Sequence, residues 1–243
     1  MDVVNVDTQM GFAFFTIITT VYFILNYFVG RPSKNNPNES MAGFSLSVCY
    51  FLLLAISQFL LNLQLTAGMC GGFYQYQTAV YVTLIPWVLI FGILLLLLAI
   101  FPGWLSPFSN TLGYLMTTML GIKKVIRDVF KDPNSPSSGV DDKAKETIQY
   151  IYGNQSLLIN EITISNFDAF KDSMSDLLRD DASDQEGTSK ITKLDKLKDM
   201  VYLKELVAQY VWYLLSGSLV IAIATNSIIT SGCNYTAAQL SEL

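Results

Sequence analysis

The 243-residue chain contains no histidine. That absence excludes Ser-His-Asp hydrolysis, Cys-His proteolysis, most zinc catalysis and haem ligation through imidazole. Cysteine is nearly as scarce: Cys49, Cys70 and Cys233 are the three present, and no two form a CxxC pair. Dithiol redox chemistry therefore has no motif to use. Signatures of the GxSxG, GxxxxGKS/T and GxGxxG types are missing too, which removes the common acyl, phosphoryl and dinucleotide sites.

Charge is missing from long tracts. Residues 8–30, 40–122 and 206–241 hold no Asp, Glu, Lys or Arg. Water-soluble domains spread charge over their whole surface, so these tracts are expected to lie out of water. The same absence leaves no paired acids for intramembrane proteolysis. The net charge is −5, with no clustered Lys and Arg of the kind nucleic acid requires. The opening MDVVNVDTQM carries two Asp and no basic residue, unlike a cleavable signal, so the first apolar segment is expected to be retained.

What the chain does have is apolar length. Four segments, about 10–29, 44–65, 84–102 and 206–229, each approach the ~20 residues needed to cross a ~30 Å hydrocarbon layer. Lipid leaves unpaired backbone no partner, so all four are expected as helices. In LIPWVLIFGILLLLLAIFPGWLSPFSN, Trp87 and Trp104 lie a span's length apart, about 26 Å along a helix, as two interfacial belts would. Trp212, Lys123, Lys124 and Arg127 are further candidate interfacial anchors.

Lys and Arg set the expected orientation. Arg31 and Lys34 follow the first span, Lys123, Lys124 and Arg127 open the charged block at 123–205, and Lys196, Lys198 and Lys204 close it. Four spans put all of them on one face, which the positive-inside rule makes cytoplasmic. TLGYLMTTMLGI, residues 111–122, is too short to span and is expected to lie in the interface or re-enter. The domains are then a membrane region over 1–122, a polar module over 123–205, and a fourth span with its tail over 206–243.

Within the module, KDPNSPSSGVDD reads as a loop and DDASDQEGTSK as an acidic linker. Between them lie a short helix around ETIQYIY and a second in SNFDAFKDSMSDLLRD, capped by Ser165 or Asn166. Phe167, Phe170, Met174, Leu177 and Leu178 share one face of that second helix. They dock either on the rest of the module or on a partner protein. Ile191, Leu194, Leu197 and Val201 recur at helical spacing straight into the fourth span, predicting one rod of roughly 60 Å.

Cys70 and Cys233 fall on the non-cytoplasmic side of this topology, where they are either bridged or two free thiols. Cys49 reads as a packing residue inside the second span. Asn234-Tyr235-Thr236 matches a glycosylation acceptor, but one too close to the bilayer to be used. Gln58, Asn62, Gln64 and Asn226 are polar residues within spans, and bond helix to helix or line a substrate path. Ser216, Gly217, Ser218 and Ala222 offer a small-residue face for close helix contact.

MCGG before the third span, LIPWVLIFG, FPGWLSPFSNTLGYL and a late apolar span closing in SGC together resemble a multi-pass membrane minor capsid protein of large icosahedral algal DNA viruses, the chlorella-virus type. The resemblance implies a structural virion protein with no cofactor, metal, catalytic residue or small-molecule substrate. Its partners would be the lipid bilayer and capsid or other minor capsid proteins, with a homo-oligomer as a further option. It also implies an inner membrane derived from host endoplasmic reticulum, with the polar module facing the capsid. The alternative is a small multi-pass channel or carrier. In all, the expectation is an all-α integral membrane protein of about four transmembrane helices, with a small, mostly helical polar module between the third and fourth.

Overall fold

The computed structural model describes residues 9–32, 39–132, 141–183 and 191–233. Lys34, the N-terminal stretch up to Thr8, most of the Pro/Ser loop, the later part of the acidic linker and Asn234-Tyr235-Thr236 lie outside the described residues. The chain is an all-α membrane protein. Four helices are long and apolar enough to cross a bilayer: α1 (Gln9–Val29), α2 (Glu39–Met69), α3 (Tyr76–Ile100) and the 38-residue α9 (Lys193–Thr230). Between α3 and α9 come α4 (residues 106–119), α5 (Ile122–Val129), α6 (Asp142–Gly153), α7 (Gln155–Glu161) and α8 (Phe167–Ser173).

Two compact units divide the chain. One takes the chain up to Asn26, Met41–Trp104 and the chain from Tyr210 onward; the other takes Tyr27–Ser40 and Leu105–Gln209. The boundary thus falls at Leu105 rather than Lys123. The reason is local: Ser109, Gly113 and Thr117, one turn apart on α4, are buried, and Gly113 lies directly against the backbone carbonyl of Lys204. Small residues let two helix backbones approach this closely, so α4 packs with the polar module.

In the first unit each span runs antiparallel to the next one along the chain. Gln58 Nε2 donates to the Gly11 carbonyl at 3.0 Å, Thr19 bonds the Tyr50 hydroxyl at 3.1 Å and Tyr22 bonds Ser47 at 3.1 Å, so α2 descends as α1 rises. Asn62 Nδ2 donates to Thr83 Oγ1 at 2.9 Å, which fixes α3 against α2. Gly11 sits at Ile221, Phe15 at Gly217 and Phe23 at Tyr210 and Tyr213, so α1 and α9 are also antiparallel. Phe15, Tyr22, Phe23, Tyr50, Phe91 and Tyr213 fill the interior with tilted, stacked and edge-on ring contacts. Aromatic pairs of this geometry add about 0.5–1.5 kcal/mol each beyond area burial.

Two expected boundaries change. The third span begins at Tyr76, not Leu84, because its polar residues find partners: Thr83 donates back to the Ala79 carbonyl at 2.7 Å while accepting from Asn62. The preceding loop shrinks to a tight turn. Gly71 and Gly72 have φ of +62° and +96°, and Gly72 N–H closes on the Ala67 carbonyl at 2.8 Å. That is a helix stop which favours glycine at both positions. Pro86 consequently lies inside α3. Its missing amide hydrogen is absorbed by a π-helical stretch, Pro86–Phe91, in which Gly92 N–H reaches the Trp87 carbonyl.

The second unit has its own core. Ile122, Ile126 and Val129 of α5, Ile151 of α6, Ile159, Ile162, Phe167 and Leu178 meet Leu194, Leu197 and Val201 of α9. An antiparallel bridge pairs Phe130 with Leu178, with Lys131 N–H on the Leu177 carbonyl and Arg179 N–H on the Val129 carbonyl. Tyr152 donates to both the Phe130 and Lys131 carbonyls, and burial raises the pKa of its hydroxyl. Asp141 caps α6 through the Ala144 amide at 2.8 Å. Asn166 opens α8, but its amide turns backward, accepting from Thr163 N–H and donating to the Glu161 carbonyl.

Candidate functional site

Three arrangements carry chemical information: the outward face of the bundle, a disulfide at one end of it, and an open groove on the polar module. The bundle turns its apolar side chains outward. Phe12, Ile17, Ile24, Phe44, Leu52, Ile56, Val88, Ile93, Leu96 and Leu219 are all exposed. Contiguous exposure on this scale is foreign to a soluble monomer, and lipid is the solvent that suits it. Polar groups in the spans go inward where they can: Gln58 and Asn62 are buried and bonded, whereas Gln64 and Asn226 are exposed. These four side chains do not converge on one place. Cys49 also faces outward rather than into the packing, which corrects the reading of it as an interior residue.

The aromatic anchors separate. Trp87 lies near the middle of α3, half-buried and packed on Phe15 and Phe91, because that helix starts eight residues earlier than its hydropathy suggests. It therefore does not mark a span end, as the Trp87–Trp104 spacing had implied. Trp104 follows the end of α3, is half-exposed, and has its ring 6.2 Å from that of Trp212 on α9. Those two indoles form one aromatic patch. Lys123, Lys124 and Arg127 project outward from α5, while Ile122, Ile126 and Val129 point inward.

Cys70, at the end of α2, and Cys233, after α9, form a disulfide with Cα atoms 5.6 Å apart. The glycine stop after α2 delivers Cys70 to that position. Nothing in the spacing of the two cysteines could specify the pairing; the packing of the bundle, which brings the ends of α2 and α9 together, does.

The polar module decides between the two alternatives for its apolar helix face. Phe167 and Leu178 are buried in the module's own core, and Phe170, Met174 and Leu177 pack against it. The face they form is thus satisfied within the chain and is not, as a whole, a docking surface. Helical spacing reports that a face is buried, not against what. Phe170 and Met174 do reach the floor of a groove of about 710 Å³ between α6, α7 and α8. Tyr150 and Leu157, on its rim, are more than half exposed, and Asn154, Glu161 and Asn166 add a polar margin. Tyr150 was legible as apolar; Leu157 was missed because the QSLLINE helix has no clear period.

The start of the acidic linker is tied down. Asp181 pairs with Lys193 and with Arg179, and these partners, Lys193 first, hold its carboxyl below the usual range; Ala182 is buried. One wall of the groove is fixed from beneath by α9. Lys204 is buried, and its Nζ donates to the carbonyls of Ile159 at 2.6 Å and Ile162 at 2.8 Å. It lies just before the charge-free stretch that starts at Leu206. Burial lowers its pKa to about 8, against the opposing pull of Glu205 and Glu161. Glu205 accepts the Ile164 amide at 2.9 Å, and burial raises its carboxyl. Adjacent opposite charges thereby pin the end of α7 and the turn after it. A lysine placed at the end of a helix satisfies carbonyls that have no partner within that helix.

Arg31 also joins this unit, 3.7 Å from Asp199 and over the Tyr27 ring. Comparison with protein-family models, curated proteins and solved structures gives no match.

Proposed function

We propose that this chain is a structural anchor that ties a lipid bilayer to a surrounding protein lattice. The observation that carries the reading is the division of labour between the two units. One presents apolar side chains outward on every span, and the other is a polar, separately cored module bearing an open groove. An anchor needs a part that lipid retains and a part that protein can grip. The groove supplies the grip, with Tyr150, Leu157, Phe170 and Met174 offering apolar contact inside a polar rim.

The likeness of its Phe101–Leu115 phrase to minor capsid proteins of large algal viruses directs the reading to a virion inner membrane, with the module toward the capsid. The Lys and Arg distribution supports a cytoplasmic origin for that side. On this reading the disulfide faces the opposite compartment, where oxidation is favoured. No catalytic step is assigned to any residue.

The test is a pair of substitutions in the groove, Tyr150→Asp and Leu157→Asp, in the full chain. Membrane insertion is expected to persist while co-assembly with shell proteins is lost. Particles that incorporate the double variant at the normal level would overturn the anchor reading.

A further inference from the structure

One surface of the second unit is used by neither the groove nor the core. Around α4 the buried positions are Ser109, Gly113 and Thr117, and the opposite side presents Leu112, Leu115, Met116, Met119 and Leu120. Met119 is 74% exposed, more than any other large apolar side chain described. A helix with so apolar an outer face is not a water-facing one. Its start lies only six residues beyond the end of the third span at Ile100. At ~3.5 Å per residue the connection reaches no more than about 21 Å, so the start of α4 is tethered within that distance of the end of a membrane span.

At the far end of α4 the chain turns at Gly121, with φ +91°, and α5 begins at once. Lys123, Lys124 and Arg127 then stand out from α5, three and four residues apart on its exposed side. None of them has an ion-pair partner among the described residues, whereas Lys131, Lys145, Arg179, Lys193 and Lys198 each face an acid. The one acid on α5 is Asp128, so the helix keeps a net positive charge. Lys123 is three residues from Leu120, within about 11 Å of the apolar face.

We propose that α4 and α5 together form a binding surface for anionic phospholipid. The apolar side of α4 lies at the acyl boundary, and Lys123, Lys124 and Arg127 take the headgroup phosphates and carboxylates. Three observations select lipid as the occupant: the charge complementarity, the apolar face beside it, and the unbroken run of chain from a membrane span. Amphipathic helices with basic flanks bind bilayers in this way. The inference requires only the membrane character of the bundle and does not depend on the anchor reading.

The full chain, reconstituted in phosphatidylcholine containing traces of spin-labelled lipid, provides the test. Spin-labelled phosphatidylserine is expected to be motionally restricted several-fold more than spin-labelled phosphatidylcholine. K123Q/K124Q/R127Q should bring that preference to parity, and K143Q/K171Q, which removes two exposed cations elsewhere on the module, should leave it intact. A nitroxide at M119C in a C49S background should be relaxed by oxygen dissolved in lipid and not by an aqueous nickel chelate. Equal restriction of the two lipids by the unaltered chain would overturn the proposal. So would an equal loss in K143Q/K171Q, displacement of the labelled lipid by inorganic phosphate, or a water-exposed or protein-covered label at position 119.

Discussion

The ring of Phe15 stands where a side chain on Gly217 would have to be. This contact brings α1 and α9 together at mid-bundle, and three atoms of the ring crowd the same point, so a small swing of one of them does not clear it. Gly217→Val should lower bundle stability by about 1–3 kcal/mol, the range for an overpacked interior. Thermal unfolding in detergent checks it, with Ser218→Ala, a half-exposed neighbour, shifting the midpoint little. An unaltered midpoint for the valine variant would place α9 elsewhere.

A second glycine governs the other unit. At Gly113 the obstructing atom is the backbone carbonyl of Lys204, which cannot swing aside as a side-chain tip can. Gly113→Ala is therefore expected to lift α4 off α9, at about 1–3 kcal/mol. Hydrogen exchange should rise over residues 106–119 while the membrane spans keep their protection.

Lys204 links the module to pH. Its pKa falls from 10.5 to about 8 on folding, so the unfolded chain holds a proton between those values that the folded chain does not. The stability this contributes is fully present above 10.5 and is lost as pH falls through about 8. Its size is at most about 3 kcal/mol. The melting point of the module should climb between pH 8 and 10.5, and Lys204→Met should flatten that slope. Glu205 acts in a different window: its raised pKa contributes stability at acid pH that is lost as pH rises through the folded value.

The polar pair inside the spans has a smaller effect. Asn62→Leu removes the bond to Thr83, yet Thr83 keeps its own carbonyl partner at Ala79. The expected loss is about 1 kcal/mol, typical of a single interhelical hydrogen bond in lipid. Detergent unfolding measures it.

Hydropathy and missing charge made the four helices legible, since a tract as long as 40–122 without a charged side chain is poorly suited to a water-facing surface. The start of α3 was not legible. Gln77, Thr78 and Thr83 look like loop residues until a neighbouring helix provides Asn62. The module's helices were visible at Ile148, Ile151 and the Phe167 face, but periodicity is silent about which surface receives a buried stripe. That is why Phe167 and Leu178 read equally as module core or as contacts for a partner, and prove to be core. The groove lay beyond sequence reasoning, because it is a space between three helices rather than a property of any one.

The Cys70–Cys233 bond should be seen as a cross-linked peptide that reductant removes, and as two alkylatable thiols only after reduction. It joins residues 163 positions apart, which makes most of the polypeptide a covalent ring. A protease that nicks any connection between residues 71 and 232 opens the ring without freeing either piece. Such a cut would leave one covalent species on a non-reducing gel, and the severed halves would stay together until an electron donor reached the sulfurs.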